Sequence, residues 1–371
     1  MLGKKDASNI DSILIVATAV TGRSGGDVHL NHMIKYWKKS GININPLYIN
    51  EFKEFNLLNN LKYLFISTDK LLRINHLTTD QIQNSDVILS ATPYPANLFH
   101  SIKLSKKYHK KVICYFHQIV PGIFNHSFPT GFFRTILNAV YFKYAMYLVE
   151  KNDIAIFLDY PDSLKNPKIK VYEDLDAVDE INISSVNKCS KIYDLCYLGR
   201  VVKSKGIMDL IKVCKLLSDS NINLKIAIVG EYSAKMKTKL DKLLNKYKLS
   251  NNFIFFGYVD NIQKLQLLSS SKIFISLSYE EGWGISAMEA AALGIPLIVY
   301  KLPGAYSYLN GNYYSAPVGD INKIKTLIVD LIKNIDAANS YTQEAMRLVK
   351  TYHYSAIAEE QLRYIEDFLN R

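Results

Sequence analysis

Cysteine is scarce in this chain. Cys114, Cys189, Cys196 and Cys214 are the only four in 371 residues, no two form a C-x-x-C pair, and none stands beside paired histidines. That excludes a zinc ribbon or a disulfide framework and fits reduced, mostly buried thiols in a cytoplasmic protein. The first residues, Met-Leu-Gly-Lys-Lys-Asp-Ala-Ser-Asn-Ile, lack the apolar stretch of a signal peptide. Long hydrophobic runs are missing as well. The nearest, Phe132 to Val149, is interrupted by Arg134, Asn138 and Lys143, short of the roughly 18 apolar residues a spanning helix needs. Repeats and low-complexity segments are lacking too. Acidic residues are outnumbered, with 34 Asp and Glu against 45 Lys and Arg, a net charge of +11. The excess points to an anionic partner (nucleic acid, a membrane surface or a phosphorylated small molecule), and composition alone does not choose among them.

What is present describes a folded protein. Apolar residues make up 49% and charged residues 21%, which excludes wholesale disorder, and the length suits two domains. Short apolar runs alternate with amphipathic ones. Ser12–Thr18 predicts a strand buried on both faces, and Leu30, Met33, Ile34 and Trp37 follow at helical spacing before Gly41. Further strands are predicted at Lys62–Ser67, Asp86–Ala91, Val112–Phe116, Ile154–Leu158 and Ile169–Tyr172. The pattern then restarts with Tyr193–Leu198, Leu224–Val229, Phe253–Phe256, Ile273–Leu277 and Pro296–Tyr300, and a helix over Ile207–Ser218. Such alternation predicts parallel sheets covered by helices. The acidic, polar stretch Glu173–Ser190 between the two sets reads as an interdomain linker. The expected architecture is α/β, two Rossmann-like doubly wound domains facing a cleft, with binding edges at the strand C-termini.

The most informative segment is Ser278-Tyr-Glu-Glu-Gly-Trp-Gly-Ile-Ser-Ala-Met-Glu-Ala-Ala-Ala-Leu-Gly-Ile-Pro296. It follows a strand and leads into a helix. Gly282 and Gly284 let backbone approach a ligand closely, and a helix start favours an anion. Glu281 in the turn and Glu289 two turns on can reach one site, because long helical side chains lean toward the N-terminus. Carboxylates accept hydrogen bonds from vicinal hydroxyls, which suits a sugar and a ribose flanking a diphosphate. A second element, Gly199-Arg200-Val-Val-Lys-Ser-Lys205-Gly206, stands just after the first strand of the second half. There Arg200 and Lys205 can bond phosphate oxygens.

Together, G-R-x4-K-G, Phe255-Phe-Gly-Tyr-Val259 and the pair Glu281/Glu289 in E-x7-E spacing resemble the donor domain of retaining glycosyltransferases of family 4, which have the GT-B fold. The likeness is specific over Tyr193–Leu309. Elsewhere it extends to Gly25-Gly26, to Phe116-His117, and to a last helix at Tyr352–Leu369 that would cross back onto the first domain. The resemblance implies domains at 1–178 and 179–351, with 352–371 as the returning helix. It implies that Arg200 and Lys205 hold the donor diphosphate, that Glu289 binds the ribose hydroxyls, and that the backbone of Tyr258 and Val259 contacts the base. Glu281 with the amides of Gly282, Trp283 and Gly284 would bind the transferred sugar and the adjacent phosphate. Gly25 and Gly26 would come close to the diphosphate from the first domain, and His117 would contact the sugar near the reacting centre. The reaction implied is hexosyl transfer from a nucleotide-sugar to a glycan or lipid-linked acceptor with retention. The leaving phosphate oxygen takes the acceptor proton while Arg200 and Lys205 stabilise its charge. No cofactor and no metal are expected.

The sequence departs from the family's pattern at Gly230-Glu231-Tyr232, which lacks a second glycine, at Trp283, where phenylalanine is common, and at Glu173-Asp-Leu-Asp176, where N-G-V-D is frequent. Asp174-x-Asp176 also resembles the metal-binding D-x-D of GT-A enzymes, a rival reading. A catalytically silent binding or regulatory subunit of the same fold, and a nucleotide-sugar epimerase, are two more rivals. Positive charge concentrates in residues 101–150, with seven Lys and Arg against one Asp or Glu. Lys103, Lys106, Lys107, Lys110 and Lys111 precede an aromatic stretch that includes Phe124, Phe128, Phe132, Phe133, Tyr141, Phe142, Tyr144 and Tyr147. That combination suits peripheral attachment to an anionic membrane on its cytoplasmic face. No zinc knuckle, RNP-like strand or helix-turn-helix accompanies the charge, which argues against nucleic acid.

Overall fold

Residues 10–17, 25–49, 67–116, 132–159, 161, 164, 166–179, 183–184, 186 and 189–371 are described by the structure, a computed structural model. The chain divides into two compact units. One contains the described residues up to Asp176 together with Tyr354–Arg371; the other contains those from Ala177 to His353.

The first unit is built on strands β1 (Ser12–Ala17), β2 (Asn43–Tyr48), β3 (Val87–Ser90), β4 (Lys111–Phe116), β5 (Ala155–Leu158) and β6 (Val171–Glu173). They form one parallel sheet in the order β2-β1-β3-β4-β5-β6. Its helices are α1 (Gly25–Lys39), α2 (Thr68–Ile74), α3 (Thr79–Gln83), α4 (Pro95–Tyr108) and α5 (Phe132–Lys151). Every residue of β1, β3 and β5 is buried, as expected of strands covered on both faces. Leu14, Ile88, Cys114 and Ile156 on one face pack with Leu98 and Ile102 of α4 and Ala145 and Val149 of α5. On α1 lies the last helix, α12 (Tyr354–Leu369). Trp37 Nε1 donates to the Ala358 carbonyl at 3.2 Å, and the Tyr115 hydroxyl donates to Gln361 Oε1 at 2.7 Å. These bonds join elements more than 240 residues apart in sequence.

In the second unit β7 (Tyr193–Leu198), β8 (Ile226–Val229), β9 (Phe253–Gly257), β10 (Ser271–Ser276), β11 (Leu297–Tyr300) and β12 (Tyr314–Ala316) form a parallel sheet in the order β12-β11-β10-β7-β8-β9. Its helices are α6 (Ile207–Ser218), α7 (Ala234–Lys246), α8 (Asn261–Ser269), α9 (Ile285–Ala292), α10 (Ile321–Lys333) and α11 (Asn339–Val349). Ile207, Leu210, Ile211, Cys214 and Leu217 are all buried, so the apolar face anticipated for α6 is the one that packs on the sheet.

Two strands escaped the sequence reading. β2 carries Pro46 and two asparagines, and β12 is three residues long. Both are edge strands, where proline is tolerated and packing demands are low. The strand expected at Lys62–Ser67 lies outside the described residues except for Ser67, whose side chain caps α2 by accepting from the Lys70 amide.

The division between the units falls within the stretch expected to link them, but its first residues are packed in the first unit. Asp174 and Asp176 are buried within the first unit. His29 of α1 sets Nε2 3.1 Å from Asp174 Oδ1 and Nδ1 3.4 Å from Asp176 Oδ1. Gln361 donates to Asp174 at 2.7 Å and the Tyr354 hydroxyl to Asp176 at 2.8 Å. These carboxylates therefore tie α12 to α1 and the end of β6. Among the described residues no group of three or more His, Cys, Asp or Glu is arranged to hold a metal ion, so Asp174-x-Asp176 is not part of such a group. Burial alone would depress the His29 pKa; the two aspartates outweigh it and hold it well above imidazole's ordinary value. Buried Asp159, after β5, is pushed well above the usual carboxylate range by desolvation and then by the charges of Asp174 and Asp176.

Candidate active site

In the second sheet, β7 runs to β8 and β9 on one side, while β10, on its other side, runs to β11 and β12. The loops that leave β7 and β10 therefore diverge, and a doubly wound sheet binds ligands at such a point, beyond the strand C-termini. The Arg-Lys motif and the glutamate motif occupy these two loops.

The loop after β7 is held along its length. The Gly199 amide donates to the Val229 carbonyl at 3.0 Å, the Val201 amide to Glu231 at 2.9 Å, and the Tyr197 hydroxyl to the Arg200 carbonyl at 2.8 Å. Residues Lys203–Lys205 make one 3-10 turn that ends at Gly206, where φ is +74°. Only glycine fits there: a Cβ on Gly206 would lie 1.8 Å from the Leu277 carbonyl oxygen. The loop after β10 is fastened to this turn. The Tyr279 amide donates to the Ser204 carbonyl at 2.8 Å, and the Ser278 hydroxyl donates to the Glu280 carbonyl at 2.7 Å.

This close backbone contact brings the predicted side chains together. Lys205 Nζ lies 2.9 Å from Glu281 Oε1 and 3.1 Å from the Glu280 carbonyl. Both side chains are largely shielded, 19% and 14% exposed. Arg200 is exposed at the mouth of the loop. Tyr197 beneath it is buried, and its hydroxyl pKa is raised by desolvation and then by the charge of Glu281, with Arg200 opposing.

Gly284 opens α9 with φ +85°, packed so closely that a Cβ would meet the Tyr306 ring at 2.6 Å. Gly282, half-buried, lies two residues ahead of it. The Trp283 ring is buried, stacked on Tyr308 at 5.0 Å and edge-on to Tyr352 at 5.7 Å. What Trp283 offers a ligand is thus its backbone. Glu289, on α9, sits 2.6 Å from Nζ of Lys264. Tyr258, 68% exposed, and half-buried Val259 lie between β9 and α8. In the first unit Gly25 and Gly26 begin α1. His117 lies outside the described residues.

Three supporting residues escaped the sequence reading. Asp209 of α6 is buried and accepts bonds from the hydroxyls of Tyr279 and Tyr300, which steadies the start of the glutamate loop from below. Tyr308 donates to the Gly284 carbonyl at 3.1 Å. Lys264 is the third. An acid between the apolar positions Ile207 and Leu210 was a visible signal for Asp209; nothing local marks Lys264.

Residues 179–347 match the family described as "Glycosyl transferases group 1". Among curated proteins, poly(glycerol-phosphate) alpha-glucosyltransferase of Bacillus subtilis is 27% identical over 170 residues, 45% of this chain and 25% of that protein. The capsular polysaccharide biosynthesis glycosyltransferase CapM of Staphylococcus aureus is 26% identical over 169 residues, 45% of this chain and 43% of that one. The matched segment thus spans less than half the length of these relatives. Among solved structures, Anabaena Alr3699/HepE in complex with UDP and glucose superposes with a TM-score of 0.71 at 14% identity, over 96% of this chain and 100% of that one. The fold is GT-B, two doubly wound α/β domains, as the sequence suggested.

Proposed function

We propose that this chain, whose residues 179–347 form a group 1 glycosyltransferase domain, transfers a sugar from a nucleotide diphosphate donor to a glycan or lipid-linked acceptor, with retention and without a metal. The observation that carries the reading is the convergence of Lys205 and Glu281, 2.9 Å apart, at the switch point of the domain's sheet.

Each residue has a role that follows from its chemistry. Arg200 and Lys205 offer the diphosphate two cations, one of them a planar fork. As the glycosidic bond to the donor breaks, negative charge grows on the leaving phosphate oxygen, and fixed cations stabilise that charge more than they stabilise the ground state. The same oxygen then takes the acceptor hydroxyl proton, so no protein base is required. Glu281 accepts bonds from hydroxyls of the transferred sugar, Glu289 from the ribose, and the backbone of Tyr258 and Val259 meets the base. Gly25 and Gly26, at the start of α1, and His117 are the donor contacts proposed for the first domain. The polyol-phosphate named for the Bacillus subtilis relative and the capsular polysaccharide named for CapM support an envelope glycan as acceptor class.

Peripheral attachment to an anionic membrane belongs to the same proposal. No helix among the described residues is long and apolar enough to cross a membrane. Lys103, Lys106 and Lys107 are exposed on α4, and Val140, Tyr144 and Tyr147 are exposed at helical spacing on α5. Tyr141 and Phe142 are instead half-buried against the core. Phe124 and Phe128 lie outside the described residues. Flotation with anionic and with neutral liposomes tests the attachment, and equal or absent binding to both refutes it.

The activity itself is tested by incubating the protein with a panel of nucleotide-sugars and an envelope-glycan acceptor, followed by proton NMR of the product. The anomeric coupling should match the donor's; an inverted product rejects retention.

A further inference from the structure

Of the two lysine–glutamate pairs described above for the second unit, Lys205–Glu281 joins the two loops of the switch point, and its lysine has a substrate to meet. The lysine of the other pair has no such assignment. Lys264 stands on α8, Glu289 on α9, and Nζ lies 2.6 Å from Oε1 with 20% and 14% of the two side chains exposed. The same ammonium reaches Asn261 Oδ1 at 3.2 Å. Asp260 caps α8 by accepting from the Gln263 amide at 2.8 Å, and Tyr258 and Val259 immediately precede it. One helix therefore begins at the segment assigned to the base and carries the cation that grips the carboxylate assigned to the ribose.

We propose that Lys264 is a positioning residue for nucleotide recognition, a brace that fixes Glu289 to the base-contact segment and orients its carboxylate toward the ribose diol. This rests on the reading of Glu289 as the ribose ligand. In a nucleoside the base and ribose are joined by one covalent bond, so their separation is fixed, and two protein elements that read them must keep a matching separation. α8 and α9 are distinct helices with the strand β10 between them in sequence, and a charge-assisted bond of 2.6 Å gives them a defined spacing at that point. The carboxylate keeps the capacity for its task. An ionised carboxylate has about four acceptor sites on two oxygens, and the lysine needs one. The ammonium is engaged by Glu289 and Asn261, both in the stretch that follows the base-contact segment in the chain. Without it, the Glu289 side chain is free to take other rotamers, and ordering it again at binding opposes affinity.

The test separates hydroxyl reading from general stability. Wild type, Lys264→Met, Lys264→Arg and Glu289→Ala are titrated calorimetrically with UDP, GDP and ADP. The nucleotide that wild type binds most tightly is then compared with its 2′-deoxy and 3′-deoxy forms. A hydrogen bond to a charged group corresponds to roughly 10–100-fold in affinity, so wild type should prefer the ribose form by about that factor. Glu289→Ala should lose the preference. Lys264→Met should lose most of it, to within about threefold, and Lys264→Arg should restore most of it, because arginine keeps the charge and the donors. A merely structural lysine would lower affinity for all three forms alike and leave their ratio unchanged; that result in Lys264→Met, with Glu289→Ala losing the preference, overturns the brace and leaves the ribose reading standing. If Glu289→Ala keeps the preference, or wild type binds none of the three nucleotides, the ribose reading fails and the brace with it.

Discussion

Lys205 Nζ and Glu281 Oε1 lie 2.9 Å apart because the turn that carries the lysine rests directly on the backbone that carries the glutamate. Gly206 is the point of contact, and Leu277 is what it touches. The backbone segments that carry cation and carboxylate are thus fixed to each other by main chain, which limits how far the two groups must reorganise at the moment of reaction.

Replacing Gly206 by alanine should disrupt this arrangement. The new Cβ would fall 1.8 Å from the Leu277 oxygen, in a backbone conformation of φ +74° that disfavours any side chain. Strain in the left-handed region and overpacking together suggest a loss of about 2–5 kcal/mol. Urea denaturation of wild type and Gly206→Ala measures it, and the variant should also lose donor turnover.

Lys205→Ala and Arg200→Ala should each lower turnover roughly 10²–10³-fold, the usual consequence of removing one group that stabilises developing charge. Circular dichroism should show the fold retained. Wild-type rates in either variant would place the reacting centre elsewhere.

Turnover should survive excess EDTA if Arg200 and Lys205 neutralise the diphosphate as proposed. Assays with chelator, and with Mn²⁺ added back, check this. Activity abolished by EDTA and restored by Mn²⁺ would reinstate a metal-dependent mechanism.

Stability should fall as pH rises from mildly acid to alkaline. His29 has a raised pKa in the folded state, so its contribution is fully present below about pH 6.5 and is lost as pH climbs through the folded value. Asp159, also raised, binds its proton more tightly when folded and acts in the same direction. Urea midpoints measured from pH 6 to pH 9 should decline in wild type. His29→Gln should be less stable at pH 6, by roughly 3–5 kcal/mol as when one partner of a buried pair is removed, and its pH profile should be shallower.

The parallel α/β layout and most strands were legible because buried parallel strands read as continuous apolar runs; Ser12–Ala17 and Leu297–Tyr300 are clear cases. β2 was not, since an edge strand bearing Pro46, Asn43 and Asn45 has no such run. The glutamate and Arg-Lys motifs were legible because each is short and follows a strong strand. The links between distant residues were not. Asp174 and Asp176 stand in the acidic, polar stretch read as a linker, and their partner His29 lies about 145 residues earlier in the chain. Lys264 looks like any lysine on an amphipathic helix until Glu289 is beside it.

The central claim is that the second unit binds a nucleotide-sugar through Glu289 and its neighbours. Calorimetric titration of wild type and Glu289→Ala with a panel of nucleotide-sugars tests it most directly. At least one donor should bind wild type, and its affinity should fall about tenfold or more in Glu289→Ala, the loss expected for hydrogen bonds to a charged group. Equal affinity in the two proteins, or no donor bound by wild type, would contradict the account.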